Sequence, residues 1–344
     1  MGEARVTIAD LARRLCLSQS AVSYALNGAP GVSETTRERV RAMAREMGWR
    51  PSSAARSLRS RRSRAIGVVL TRHAEQLATE PFYYRLIAGL ETVLSPRDYS
   101  LLLSLTESGP AAHELYRQWS QEQKVDGVVL FDLVTEDSRI ALLEELGIPM
   151  VLMGEVPNHS AVLHVAGHED TDSLVVMQHV ASLGHENIGF LGGPVALVHE
   201  QARRRGMRRA ARLTGARLVQ CQAEYTIEGG RRAAADLLAR HPQLTALICS
   251  SDLICLGALQ ACRAAGLQVP QDISLVSWDD SIPMAVVTPA ITALDRDPAG
   301  MGKIAARLLV GHLEDGPLGG APTEVTSSLV IRESTGPLRA PGRT

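Results

Sequence analysis

The residues best placed to do chemistry begin within the first forty positions. Gln19, Ser20 and Tyr24 are polar and fall on one side of a short helical stretch whose other side carries Val22, Ala25 and Leu26. A glutamine amide pairs bidentately with adenine and a serine hydroxyl serves either base type, so this face suits base edges in a DNA major groove. Around it, Thr7, Ser18, Ser23, Asn27, Ser33 and Thr36 are short hydroxyl and amide groups suited to phosphate oxygens. A small helical bundle with a merely solvated polar face would carry similar residues, and charge separates the two readings. Residues 1–64 hold 13 Arg and 5 Asp plus Glu, a net of +8; the other 280 residues hold 23 Lys plus Arg and 32 Asp plus Glu, a net of −9. A basic head on an acidic body points to a polyanion, double-stranded DNA, as partner of the head alone.

Three short helices over 6–48 must position these groups. Thr7 is expected to cap the first, with Asp10 completing a variant capping box, and Ile8, Leu11, Ala12 and Leu15 form its apolar face. Ser18 caps the second, which ends at Asn27-Gly28, where both residues tolerate left-handed backbone. Ser33 caps the third, whose stripe Val40, Met43, Ala44 and Met47 has helical spacing. Two helices joined by a tight turn over 6–27 match a helix-turn-helix, whose second helix enters the groove. Residues 52–64, SSAARSLRSRRSR, are basic and helix-capable but have too little apolar face to fold alone, so they read as a linker that becomes helical only on a surface. The head is taken as 1–50 and the hinge as 51–64.

From Ala65 the texture changes. Strand-like runs AIGVVL, SLLLSL, DGVVLF, IPMVLM, NIGFLGG, ALICSS, ISLVSWDD and SLVIRES alternate with amphipathic helices. This predicts parallel sheets with helices on both faces. The series is too long for one sheet, so two similar lobes are expected over 65–340. With 45% apolar residues the chain can build a sizeable core. No apolar run is long enough to span a bilayer, and MGEARVTIAD has no signal-peptide core, so a cytoplasmic protein without a membrane partner is expected. The five cysteines (Cys16, Cys221, Cys249, Cys255, Cys262) are odd in number and never spaced as a metal clip; they read as reduced, mostly buried small hydrophobes.

The motifs T-I-A-D-L-A, S-x-x-x-V-S-x-x-L-N-G, P-G-V-S-E-T-T-R-E-R-V, M-G-W-R-P and A-A-R-S-L-R make 6–64 resemble the head and hinge of the LacI/GalR family of bacterial regulators. LGHENIGFLGGP, SSDLICLGAL, GLQVPQDISLVSWDD, TPAITALDRD and VIREST continue the resemblance in the same order over roughly nine-tenths of the chain. The resemblance implies a small all-α helix-turn-helix head on an α/β two-lobed periplasmic-binding-protein-like core. It implies a repressor, acting as a homodimer on a near-palindromic operator, whose DNA affinity is set by a small-molecule effector such as a sugar. The chain should cross between lobes near 165, 294 and 326, giving an N-lobe of about 65–165 and 295–325 and a C-lobe of about 166–294 and 326–340. Carried over by position, Gln19, Ser20 and Tyr24 read bases, and the hinge places Ala55 and Leu58 at the minor groove, with Leu58 as the wedge. Phe82 and Tyr83 form one wall of the effector cleft, and His199, Arg203, Glu224 and Asp279 reach in from the other lobe. The C-terminal stretch SLVIRESTGPLRAPGRT has no leucine heptad of the kind tetrameric relatives use, so a dimer is expected.

Departures from the family pattern bear on specificity. Tyr24 stands where an arginine is usual, which removes a bidentate guanine contact. Cys16 replaces the turn glycine, and Ser52 a hinge asparagine. Gly167-His168-Glu169 replaces Val-Asp-Asn, and Leu197 and Gly154 stand where one branch has a ligand-binding arginine and aspartate. Such a pocket is not expected to hold the usual hexose or purine in the usual pose. Neither a metal nor a cofactor is expected. His168, Glu169, Asp170 and Asp172 sit at a helix start, where carboxylates complement the dipole. Gly192-Gly193-Pro194 lacks the Lys-Ser/Thr ending of a phosphate cradle. Ser250, Ser251 and Asp252 resemble no nucleophile elbow, and Asp252 is read as anchoring the following helix. An exported solute receptor would share the core but needs an export signal and no basic head. An enzyme would need a nucleophile–base or metal constellation, and none is evident.

Overall fold

A computed structural model describes residues 6–49, 62–71, 77, 80–154, 162–316 and 323–338. The chain divides into two compact units at Ser63 and Arg64. Ala55 and Leu58 lie outside the described residues.

The head is three helices: α1 (Ile8–Leu15), α2 (Gln19–Leu26) and α3 (Glu34–Glu46). Each start is fixed by its side-chain cap. Thr7 and Asp10 close a reciprocal capping box, and the Ser18 and Ser33 hydroxyls accept the Ala21 and Thr36 N–H groups. Replacing such a cap with alanine costs about 1 kcal/mol. Leu11, Ala12, Leu15, Val22, Ala25, Val40 and Ala44 form one buried cluster, with Met43, Met47 and Leu26 packed partly buried against it. Cys16 ends α1 in the left-handed region at φ 54°, a conformation that strains any side chain with a Cβ.

The second unit holds two six-stranded sheets. The first orders β2 (Ser100–Thr106), β1 (Ala65–Thr71), β3 (Gly127–Leu130), β4 (Met150–Met153), β5 (His164–Ala166) and β11 (Thr323–Glu324), all parallel. The second orders β7 (Arg217–Gln222), β6 (Asn187–Gly192), β8 (Ala246–Cys249), β9 (Ser274–Ser277), β10 (Thr292–Asp295) and β12 (Ser328–Val330), with β12 antiparallel. The chain passes from one sheet to the other between β5 and β6, after β10, and between β11 and β12.

Period-two alternation supplies both faces of each sheet. In the N-lobe, Ile66, Val68 and Leu70 meet helices α4 (Pro81–Leu94) and α12 (Pro298–Asp315). The opposite face carries Val69, Val128 and Leu130 against α5 (Gly109–Gln121) and α6 (Ser138–Glu145). In the C-lobe, Ile188, Phe190, Ala246 and Ile248 pack on α7 (Glu169–Ser182) and α8 (Val198–Thr214). Leu191, Leu247 and Cys249 pack on α9 (Ile227–Arg240) and α10 (Asp252–Ala264). A short α11 (Ile282–Val286) follows β9.

Close helix contact sets the position of α4. A Cβ on Gly89 would meet the Ala299 carbonyl oxygen at 2.1 Å, and one on Gly302 would meet the Leu86 carbonyl oxygen at 2.2 Å. The two backbones therefore touch, and the middle of α4 is registered against the start of α12. Cys249, Cys255 and Cys262 are buried as expected, whereas Cys221 is half-buried and Cys16 exposed. No described helix is long and apolar enough to cross a membrane.

Candidate functional site

On the head, α2 keeps Val22 and Ala25 inside and leaves Gln19, Ser20 and Tyr24 exposed. The Tyr24 ring lies over Gly31, whose added Cβ would come within 3.5 Å of it. Thr7, Ser18, Asn27 and Ser33 are exposed, Ser23 and Thr36 half-buried. Several of these groups are already engaged locally. Asn27 Nδ2 donates to the Ser23 carbonyl at 2.6 Å, and Thr7 Oγ1 to Asp10 at 2.7 Å. The Ser18 hydroxyl accepts in its cap and keeps its own hydrogen to donate, which suits it to a phosphate oxygen, whereas the Thr7 hydrogen is given to Asp10.

The second site is a cleft at the carboxyl ends of the strands, where open parallel sheets place ligands. Phe82 and Tyr83 open α4, and Phe131 and Asp132 follow β3. The rings pack edge to face, with centroids 5.5 Å apart for Phe82–Tyr83 and 6.3 Å for Tyr83–Phe131. Tyr83 donates its hydroxyl to Asp132 at 2.7 Å. Asp132 has a positive φ of 49°, and Arg139 holds its loop by donating to the Phe131 and Asp132 carbonyls at 2.9 and 3.1 Å.

From the C-lobe, His199 and Arg203 project from α8 at i and i+4. Arg203 is 3% exposed, ion-paired with the fully buried Glu200 at 2.9 Å, and its guanidinium lies 5.3 Å from the Trp278 ring centre. Burial is the largest influence and works against its charge, but Glu200 together with Tyr225, Glu169 and Asp279 outweighs it, and the guanidinium pKa is raised above its ordinary value. Asp279 follows β9, accepts from Arg296 Nε at 3.1 Å, and Arg296 in turn stacks 4.9 Å from the centre of Phe82. Asp252, at the first position of α10, anchors it by accepting the Leu253 N–H at 2.8 Å, and it also faces the cleft. Burial first, and then the Asp279 carboxylate, push Asp252 up to about 6.

Among the described residues, further bonds besides the Arg296–Asp279 pair join the lobes. Arg85 on α4 donates to the Asp280 carbonyl at 2.8 Å and pairs with Asp295 at 3.3 Å. The Val198 N–H donates to the Leu133 carbonyl at 2.8 Å, beside an antiparallel bridge between Val134 and Leu197.

Of the six side chains expected in the cleft, Phe82, Tyr83, His199, Arg203 and Asp279 line it, and Glu224 does not. Glu224 is 73% exposed and pairs with Arg232 at 3.3 Å. The segment after β7 alternates: Ala223 faces the core, Glu224 solvent, and Tyr225 the cleft. Tyr225, Asp132, Asp252 and Arg296 were not anticipated. All four lie just beyond the carboxyl end of a strand, so strand ends were the signal that would have found them. Among the described residues no group of three or more His, Cys, Asp or Glu is arranged to hold a metal ion.

A helix-turn-helix unit carried with a two-lobed ligand-binding core defines a ligand-responsive DNA-binding regulator. Residues 7–52 match the model for bacterial regulatory proteins of the lacI family, and residues 177–335 that for a periplasmic binding protein-like domain. The HTH-type transcriptional regulator CelR of Thermobifida fusca is 31% identical over 340 residues, covering 96% of this chain and 98% of CelR. The solved transcriptional regulator CelR–cellobiose complex superposes with a TM-score of 0.75 at 29% identity, over 96% of this chain and all of that one. The lac repressor dimer bound to operator and the anti-inducer ONPF shares the fold, with a TM-score of 0.83 at 24% identity over 97% of this chain and all of that one. The chain belongs to the LacI family of transcription regulators, which bind DNA through the head and a small-molecule effector through the core.

Proposed function

We propose that the chain is a cytoplasmic repressor, not an enzyme, that binds a near-palindromic operator as a homodimer and senses a sugar or related polyol between its lobes. The carrying observation is a cleft lined from both lobes by aromatic rings and carboxylates, at the strand ends, in a chain that also bears an exposed, capped recognition helix. Rings that present flat apolar faces beside fixed acceptors suit a polyhydroxylated ring. Similarity to a regulator solved with cellobiose supports the effector class, and the dimeric operator complex of the lac repressor supports the assembly. The working division is a head at 1–50, a hinge at 51–64, and a core at 65–340.

In this reading Gln19, Ser20 and Tyr24 read base edges, and Thr7, Ser18, Ser23, Asn27, Ser33 and Thr36 meet phosphates. Ala55 and Leu58 act at the minor groove. Phe82, Tyr83, His199, Arg203, Asp279 and Tyr225 hold the effector, with Tyr225 in the role first expected of Glu224. Effector changes operator affinity only by its differential affinity for two lobe arrangements. A thermal-shift screen of sugars against the full chain tests the reading. A true effector at 100 times its Kd adds about 2.7 kcal/mol of stability. A panel in which nothing stabilises the protein counts against the effector class.

A further inference from the structure

We infer that the cleft is built for an uncharged polyhydroxylated ligand and turns away anionic ones such as phosphate esters, with Glu200 as the residue that sets this choice. The inference rests on the proposed reading of the cleft as the effector site. Two described arginines line it, and both spend their charge inside the protein. Arg203 Nη1 donates to Glu200 at 2.9 Å and to the Ser250 carbonyl at 3.1 Å. Arg296 gives both Nε and Nη2 to one oxygen of Asp279.

Glu200 is fully buried, and everything around it donates. The Gly193 N–H lies 2.7 Å from Oε2, and the Tyr225 hydroxyl 2.6 Å from Oε1. Since Tyr225 donates to Glu200, its oxygen accepts from His199 Nε2 at 3.0 Å. Donors reach both oxygens of this carboxylate, and it engages one of the two arginines whose forks would otherwise greet an anion. Asp252 and Glu169 also face the cleft, and neither is ion-paired with any described residue. A phosphate ester would therefore meet carboxylates and two guanidinium groups already ion-paired, although Arg203 Nε, buried, has no hydrogen-bond partner. Sugar hydroxyls can instead donate to the same carboxylates at no charge cost.

The test uses inorganic phosphate as probe, on the full chain, against chloride at matched ionic strength. Wild type is expected to show no saturable thermal shift. Glu200→Gln, which frees Arg203, is expected to gain one, and Glu200→Gln/Arg203→Met to lose it again. Saturable phosphate binding by wild type, or a folded Glu200→Gln without the gain, would overturn the inference. Wild-type calorimetry keeps it open to refutation should the variant not fold. Glucose, trehalose and cellobiose are each paired with their 6-phosphates, and any ester that binds as well as or better than its parent overturns the inference. Rejection of all three esters, each binding at least about 100-fold more weakly than any parent that binds, upholds it. If none of the sugars binds, the effector class proposed above fails, while the phosphate arm still decides the role of Glu200.

Discussion

Asp252 shows how much a single buried carboxylate can report. It is raised to about 6 from an ordinary 3.8 by burial and then by Asp279. Its folded value lies above its unfolded one, so the folded state holds the proton more tightly. The penalty is absent below the unfolded value, grows as pH rises towards 6, and is constant above it. Asp252→Asn keeps the acceptor for the Leu253 N–H and removes the charge. It should stabilise the unliganded protein by up to about 3 kcal/mol at pH 7.5 but only about 1 kcal/mol at pH 4.5. Denaturant melts at the two pH values check this, and equal gains at both would assign the effect to something other than ionisation. On the head, Gln19→Ala and Tyr24→Ala should each cost roughly 1–3 kcal/mol on the preferred operator and much less on random DNA. Equal losses in competition binding on both DNAs would reduce these residues to phosphate contacts. Residue identity was only partly legible from sequence. Asp279 could be placed because the motif GLQVPQDISLVSWDD contains it, and Phe82 by its position in the chain. Glu224 was misplaced by one position, since which of two neighbours turns inward depends on where β7 ends. The Glu200–Arg203 pairing was hidden because the run 203–209 looks like a solvated basic helix.

Among the elements, α4 links the cleft to the relation between the lobes. Its first turn carries Phe82, on which Arg296 stacks, and Arg85, which reaches the loop of Asp279 and Asp280. Arg332 completes that loop with a two-point pair to the Asp280 carboxylate at 2.7 and 2.9 Å. Cutting the strut with Arg85→Ala should leave stability nearly unchanged, because the Asp295 pair is over a third exposed and such pairs contribute little. The change should appear instead in the lobes. Spin labels at Arg117 on α5 and Arg232 on α9 should give a broader distance distribution in the variant, and an unchanged distribution would leave Arg85 as a surface contact. Gly302→Ala pushes a Cβ against the α4 backbone and should cost about 1–3 kcal/mol. Thermal melts check it, and a neutral result would mean that the two helices can separate freely. Long alternating strands such as β1 and β6 announced themselves in the sequence. The short strands β5, β10 and β11 did not, because HVA, TALD and TE are too short or too polar to stand out as apolar runs. The half-polar edge strand β7 escaped because RLVQCQ buries none of its residues fully.

At the scale of the molecule, the +8 head and −9 remainder, the strand–helix alternation and the family motifs already separated a DNA-reading unit from a two-lobed core. What the sequence could not carry is which side chains converge, because the cleft gathers residues from about 80 to 301 at the ends of two sheets. Sedimentation velocity at micromolar concentration should find a dimer; a monomer or a stable tetramer would contradict the proposed assembly. The central claim is that a ligand in the cleft changes the grip of the head on DNA. The direct measurement is a fluorescence-anisotropy titration of the full chain on labelled DNA from upstream of its own gene. It is run with and without a sugar that raises its melting temperature. The account predicts salt-dependent binding whose Kd the ligand shifts at least about fivefold, and an Asp279→Ala variant that binds the DNA equally well but no longer responds. An unchanged Kd at saturating ligand, or an Asp279→Ala variant that responds at the same ligand concentration, would contradict it.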